Sequence, residues 1–320
     1  MQPWLISLIV ILILLFVIFP SIVFSISGHM ILKTFKKTPA GQSFKVPNMD
    51  ISFYNNGPNK KLTEEGIPYV KSLEHEDLWI TSFDGLKLHA HLYKNPNNNT
   101  DRYFIGFHGF KSHPRGEYGP YAKNYVDMGF NLVLVDERAH GESEGKYLTM
   151  GIKERFDVKS WADYIANRFG DNIQILIQGV SMGGASVCMA SELDLPKQVI
   201  GIISDCAYSN VKEMLKYELK QFGKMPMFPF LNVISLYIKY GAKFDINKAS
   251  PLEAVKHAKV PMIFFHGQKD QMVPVKFAYE LYDACASKKK IIVNKDANHG
   301  ETRAYENENY FNAIKEHFNL

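Results

Sequence analysis

The chain has 320 residues, 46% of them hydrophobic and 13% aromatic, and a formal net charge of +4. That is enough apolar side chain for one large core, and strand patterns alternating with helical ones point to a mostly parallel α/β sheet. Residues 1–50 hold four lysines against one aspartate, which leaves residues 51–320 close to neutral and argues against a nucleic-acid-binding surface.

The first predicted element is apolar. From Leu5 to Ile26 nearly every residue is Leu, Ile, Val or Phe, and no charged side chain precedes Lys33. A transmembrane helix needs roughly 20 such residues. Trp4 stands at one end as an interfacial anchor, and Pro20 is the expected kink. Ser25-Ile26-Ser27 has the small-x-small form of a signal-peptide cleavage site. The run lacks a basic n-region and is long for a signal peptide, so residues 1–27 read as a retained anchor. Lys33, Lys36 and Lys37 follow it, which by the positive-inside rule puts the remainder in the cytoplasm, with the extracellular face as the alternative. Three cysteines, at 188, 206 and 285, make no disulfide framework and fit either side.

Residues 28–74 read as a polar stalk and N-terminal extension, and residues 75–320 as the globular domain. Strands are expected at Asp77–Phe83 and Leu86–Tyr93 around the turn pair Asp84-Gly85, then at Arg102–Phe107 and Asn131–Val135. Asn98-Asn99-Thr100 is a formal glycosylation sequon in an Asn-rich loop. Gly151 to Phe169 has helical amphipathicity. A buried strand at Ile173–Ile177 leads into the small and apolar run Met182–Ala190, which suits a packed helix. Another strand ends at Ile202-Ile203-Ser204-Asp205-Cys206. Residues 207–250 are too long for a plain crossover and carry Phe222, Met225, Met227, Phe228, Phe230, Leu231 and Tyr237 between Pro226 and Pro229. They read as a small helical cap whose flexible and aromatic side chains line an acyl pocket, with ordinary core packing of crossover helices as the alternative. Strands at Val260–Gly267 and Lys290–Val293 complete the pattern.

Gly179-Val180-Ser181-Met182-Gly183, set between strand and helix, has the form of a nucleophile elbow, a tight turn whose strained backbone needs small residues on either side. Asp270 follows the strand at 260–267, and His299 follows the next one. The order Ser181, Asp270, His299 is that of a Ser-Asp-His triad on a parallel sheet. A serine hydroxyl is a weak nucleophile at neutral pH. An imidazole can take and return its proton, and a carboxylate fixes the imidazole's tautomer.

These segments, with Phe107-His108-Gly109-Phe110 and Val135-Asp136-Glu137-Arg138-Ala139-His140-Gly141-Glu142-Ser143-Glu144-Gly145, resemble an α/β-hydrolase-fold esterase over residues 75–320. The closer resemblance is to the single-pass, membrane-anchored hydrolases of Gram-positive bacteria. It implies the α/β-hydrolase fold, with two oxyanion donors: the N–H of Met182, after the nucleophile, and that of Phe110, in the loop after an earlier strand.

Other residues compete for these roles. Asp205 is the rival acid, because some α/β-hydrolases place the acid after that strand. His266 reads as packed and His257 as solvated. Asp136, Arg138 and His140 read as a loop at the rim of the site, and Cys188 and Cys206 as small buried residues. No His or carboxylate spacing suggests a metal, and no cofactor is expected. The expected function is a membrane-anchored serine hydrolase acting on small acyl esters. A peptidase or acyltransferase on the same triad is the alternative within enzymes, and a catalytically silent tethered binding module the alternative outside them. The sequence leaves the oligomeric state open.

Overall fold

The computed structural model describes residues 2–14, 18–39, 58–97, 100–221, 227–248 and 250–320. Its centre is an eight-stranded sheet formed by β1 His75–Thr81, β2 Lys87–Tyr93, β3 Arg102–Phe107, β4 Phe130–Asp136, β5 Gln174–Val180, β6 Val199–Asp205, β7 Met262–Gly267 and β8 Lys289–Asn294, in the order β1-β2-β4-β3-β5-β6-β7-β8. The β1–β2 and β2–β4 pairs are antiparallel and the rest parallel. β4 and β7 are buried along their whole length, as strands covered on both faces must be.

One face of the sheet packs against the helices Glu154–Phe169, Met182–Ala190 and Lys276–Ala284, with Trp161, Ile165 and Val187 at the centre of that core. The other face packs Tyr118, Tyr121, Tyr125 and Phe311 from the 114–127 region and the helix Asn307–Phe318. Fully burying one such large apolar side chain contributes about 1.5–3 kcal/mol, so these two layers dominate the stability of the domain. A third core lies over the C-terminal ends of the strands. It joins Met182, Tyr208, Val211, Ile238 and Phe244 to Phe35.

Of the apolar N-terminus, expected as one span, the structure describes helices at Pro3–Ile13 and Phe19–Thr34, with residues 15–17 outside the described set. Among the described residues no helix is long and apolar enough to cross a membrane. Pro20 lies in the first turn of the second helix, where its missing N–H costs no intrahelical bond. The first helix buries none of its residues. The second leans on the cap: Phe24 and Tyr237 have ring centroids 4.8 Å apart, and a Cβ on Gly28 would fall 1.9 Å from the Tyr237 ring. Lys37 donates to the Ser143 carbonyl at 2.6 Å, so one of the three flanking lysines is tied to the globular domain.

Within residues 28–74, Pro58–Ser72 is a helix docked on the domain, with Val70 fully buried and Gly66 against the backbone of Gly119 and Pro120. Residues 40–57 lie outside the described set, as do Asn98 and Asn99 of the sequon. Between 207 and 250 the chain is helical at Val211–Gln221 and Met227–Tyr237, and residues 222–226, which include Phe222 and Met225, lie outside the described set. Phe228, expected to face an acyl pocket, is instead 77% exposed, whereas Leu231 is buried. Backbone geometry is the reason: φ −99° and ψ 133° at Phe228 break the helix and turn that side chain out.

Candidate active site

Ser181 sits between β5 and the helix Met182–Ala190 with φ 54° and ψ −111°, a region costly for a residue with a Cβ. The flanking glycines are required by space. A Cβ on Gly179 would lie 2.0 Å from the Gly183 carbonyl oxygen, and one on Gly183 would lie 2.2 Å from that of Phe107. The turn is held by the Ser181 N–H, which donates to the Asp205 carbonyl at 2.8 Å.

Asp270 follows β7 in a tight turn. Its Oδ1 accepts from the N–H groups of Met272 (2.9 Å) and Val273 (2.8 Å), and its Oδ2 accepts from His299 Nδ1 at 2.7 Å. With Nδ1 so occupied, Nε2 is the nitrogen left for proton transfer. Burial alone would raise the Asp270 pKa, but the charge of His299 and hydrogen bonds from His266 and His299 outweigh it and hold the carboxyl well below its usual range. For His299 burial acts downward and loses to the Asp270 charge, so the imidazole pKa is raised well above 6.5. His266 is buried, as expected. Its Nε2 donates to the Val273 carbonyl at 2.7 Å and lies 3.2 Å from Asp270 Oδ2, bracing the acid turn.

Asp205 is in a different environment. Its Oδ2 accepts from the Tyr310 hydroxyl at 3.1 Å and lies 3.4 Å from Arg303 Nε. Arg303 is fully buried and also donates to Glu117 Oε1 at 2.9 Å. Glu117 in turn lies beside Gly109, whose Cβ position would be 3.6 Å from Glu117 Oε2 and 3.5 Å from Ser181 Cβ. One buried arginine therefore joins the loop after β3, the end of β6 and the turn that carries His299.

Cys206 was read from the sequence only as packing. Its Sγ lies 3.8 Å from His299 Nε2, and its backbone has φ 45°. Val180 pairs with Asp205 in the parallel register, so Ser181 and Cys206 each directly follow the last residue of neighbouring strands. His299 Nε2 thus lies at the C-terminal end of β6, the strand beside the one that leads into Ser181. Burial pushes the Cys206 thiol up to about 11, although the charge of His299 acts the other way, and leaves it protonated. The legible signal was position: a residue directly after a strand that neighbours the elbow strand.

Asp136, Arg138 and His140 do not form a rim; all three are buried behind the loop after β3. Arg138 is clamped between Asp157 (2.6 Å) and Asp84 (3.0 Å), which ties the β1–β2 hairpin tip to the helix Glu154–Phe169. His140 Nε2 accepts from the Lys111 N–H at 3.2 Å, and His108 Nε2 from the Glu137 N–H at 3.3 Å. Burial and the neighbouring His108 take the His140 pKa down to about 3, so this ring stays a neutral acceptor. These bonds fix the backbone on either side of Phe110. Met182 is the first residue of its helix, where N–H groups are unpaired and the dipole favours negative charge. His257 lies just after the helix Pro251–Val255, and Cys188, Cys206 and Cys285 are unpaired and buried. A cleft of about 500 Å³ lined by Asn95, Arg102 and Gln174 opens at the opposite, N-terminal ends of β3 and β5, away from these groups.

A model of the prolyl oligopeptidase family matches residues 121–319, a stretch that holds the elbow, Asp270 and His299. The chain belongs to that family. The match begins after β3, so the loop that carries Phe110 lies outside it. Relatives of this prolyl oligopeptidase family member include the Bacillus subtilis protein YqkD, 24% identical over 196 residues, which are 61% of this chain and 64% of YqkD, just under two thirds. The Saccharomyces cerevisiae membrane protein YNL320W is 24% identical over 245 residues, 74% of this chain and 75% of that one. Among solved structures, the Pyrococcus furiosus esterase Pf2001 superposes with a TM-score of 0.63 at 23% identity, covering 89% of this chain and 98% of the esterase. That likeness establishes the fold: an α/β-hydrolase with helices on both faces of a mostly parallel sheet.

Proposed function

We propose that this chain is a membrane-anchored serine hydrolase that cleaves carboxylic esters through an acyl-enzyme. The observation that carries the reading is the 2.7 Å contact of His299 Nδ1 with Asp270 Oδ2, with Nε2 beside Cys206 at the end of β6, the strand next to the one that leads into Ser181. Nε2 takes the Ser181 hydroxyl proton as Oγ bonds to the ester carbonyl carbon. The oxyanion is held by the N–H groups of Phe110 and Met182, and the imidazolium returns its proton to the departing alkoxide. Water then repeats the sequence on the acyl-enzyme, releasing a carboxylic acid and free Ser181.

The membrane anchor is supported by the exposed apolar helix Pro3–Ile13 and by a relative named as a membrane protein. Lys33, Lys36 and Lys37 favour a cytoplasmic catalytic domain. The full chain should pellet with membranes and resist salt extraction. Digestion of the catalytic domain by protease added to intact cells would reverse the orientation.

A peptidase reading draws on the name of the family. Esters are preferred here because of the apolar third core over the strand ends, where Phe35, Phe110 and Phe244 meet edge to face. A panel of acetyl to octanoyl esters and matching anilides and peptides separates the two. The ester reading expects kcat/KM to rise from acetyl to butyryl, since each buried methylene adds about 0.8 kcal/mol. Efficient amide cleavage with negligible ester cleavage would favour the peptidase.

A further inference from the structure

The edge hairpin gathers imidazoles and carboxylates on one face, with β4 and β3 between it and the strand that leads into Ser181. In the β1–β2 register His75 opposes Tyr93, Asp77 opposes His91 and Trp79 opposes His89. Alternate residues of a strand share a face, so His75-x-Asp77 and His89-x-His91 all project to the same side. One donor atom each from His75, Asp77 and His91 lies within 4.8 Å of the other two. His75 and Asp77 are exposed and His91 is partly so. The second group of that kind, Cys206, Asp270 and His299, belongs to the active site.

We propose that His75, Asp77 and His91 bind a divalent transition-metal ion at the sheet edge. Two imidazoles and one carboxylate are the donor set that suits borderline cations such as Zn²⁺, and solvent supplies the remaining positions. A cation drawn between the three groups replaces the 2.8 Å hydrogen bond of His91 Nδ1 to Asp77 Oδ1.

The layer behind the three donors is already built. His89 is fully buried, with Nδ1 2.8 Å from Asp136 Oδ2 and Nε2 3.3 Å from Asp77 Oδ1. A ring bridging a buried carboxylate and an exposed one orients the exposed one, the role of outer-sphere partners at metal sites. No spacing rule revealed this, because His75 and Asp77 are distant in sequence from His91 and meet it only through hairpin register.

The test is Zn²⁺ binding to the full chain in detergent by equilibrium dialysis, with Co²⁺ absorption as a report of the ligand set. One Zn²⁺ per chain is expected. His75→Ala and His91→Ala should each weaken it at least tenfold, and Co²⁺ should show no thiolate charge-transfer band. His75 is exposed, so His75→Ala should keep the wild-type melting temperature and ester turnover, which separates loss of metal from loss of fold. The proposal falls if no Zn²⁺ binds, or if affinity survives both substitutions. It falls equally if binding disappears in Cys206→Ser with a thiolate band in the wild type, which would put the metal on the active-site group.

Discussion

The strand ends and the cap are built by opposite means. Around Ser181, position is set by backbone: positive φ at Ser181, Cys206 and Lys111, glycines with no room for a Cβ, and a buried arginine joining three loops. The cap and the helix Phe19–Thr34 meet instead through apolar contacts such as Phe24 on Tyr237 and Leu32 against Gly241. Directional bonds and steric exclusion fix atoms to fractions of an ångström, which proton transfer requires. Apolar packing tolerates exchange of side chains, which suits the proposed role of the cap in setting substrate size.

Breaking the first region should cost most. Asp270→Asn, which removes the charge and leaves His299 free to take the wrong tautomer, should lower kcat by about 10⁴-fold. Asp205→Asn in a folded protein should stay within about tenfold, because Asp205 faces Tyr310 and Arg303 rather than His299. The reverse ranking would hand the acid role to Asp205. The pH profile sharpens the same point. In the proposed mechanism neutral His299 is the base, and Asp270 raises its pKa, so the acid limb of kcat/KM should lie above 6.5 in the wild type. In Asp270→Asn the largest influence that raises the His299 pKa is gone, and the limb should move to lower pH.

Arg303→Met comes next. It strands Glu117 and Asp205 as buried carboxyls without their cation, and such losses cost about 3–5 kcal/mol. A drop of that size in unfolding free energy from urea titration is expected. No change would mean that the three loops are held by packing alone.

Substitutions in the second region should be mildest. Phe35→Ala, which removes the ring between Phe110 and Phe244, should shift the preferred acyl length with less than about tenfold loss of the best kcat/KM. A loss as large as that of Asp270→Asn would erase the distinction between the regions.

The same contrast explains what could be read from sequence. Arg102–Phe107 and Met182–Ala190 were legible to the residue, and the hairpin around Asp84-Gly85 nearly so, because strand runs, small-residue helices and turn pairs are local patterns. Ser181, Asp270 and His299 were legible as residues following strands. The site of Asp136, Arg138 and His140 was misjudged as a rim, since burial of a charged loop depends on partners such as Asp157 and Asp84 that only the fold supplies. Cys206 and Arg303 were missed for the same reason: each acts across neighbouring strand ends, and neither belongs to a motif. Phe228 failed as an acyl-pocket residue because one non-helical residue turns it outward.

The most direct measurement is active-site titration of the full chain with a fluorophosphonate probe, with the modified residue mapped by mass spectrometry. Stoichiometric labelling confined to Ser181, absent in Ser181→Ala together with ester turnover and greatly slowed in His299→Ala, is the predicted result. Full labelling of Ser181→Ala at another serine, with turnover intact, would contradict the account.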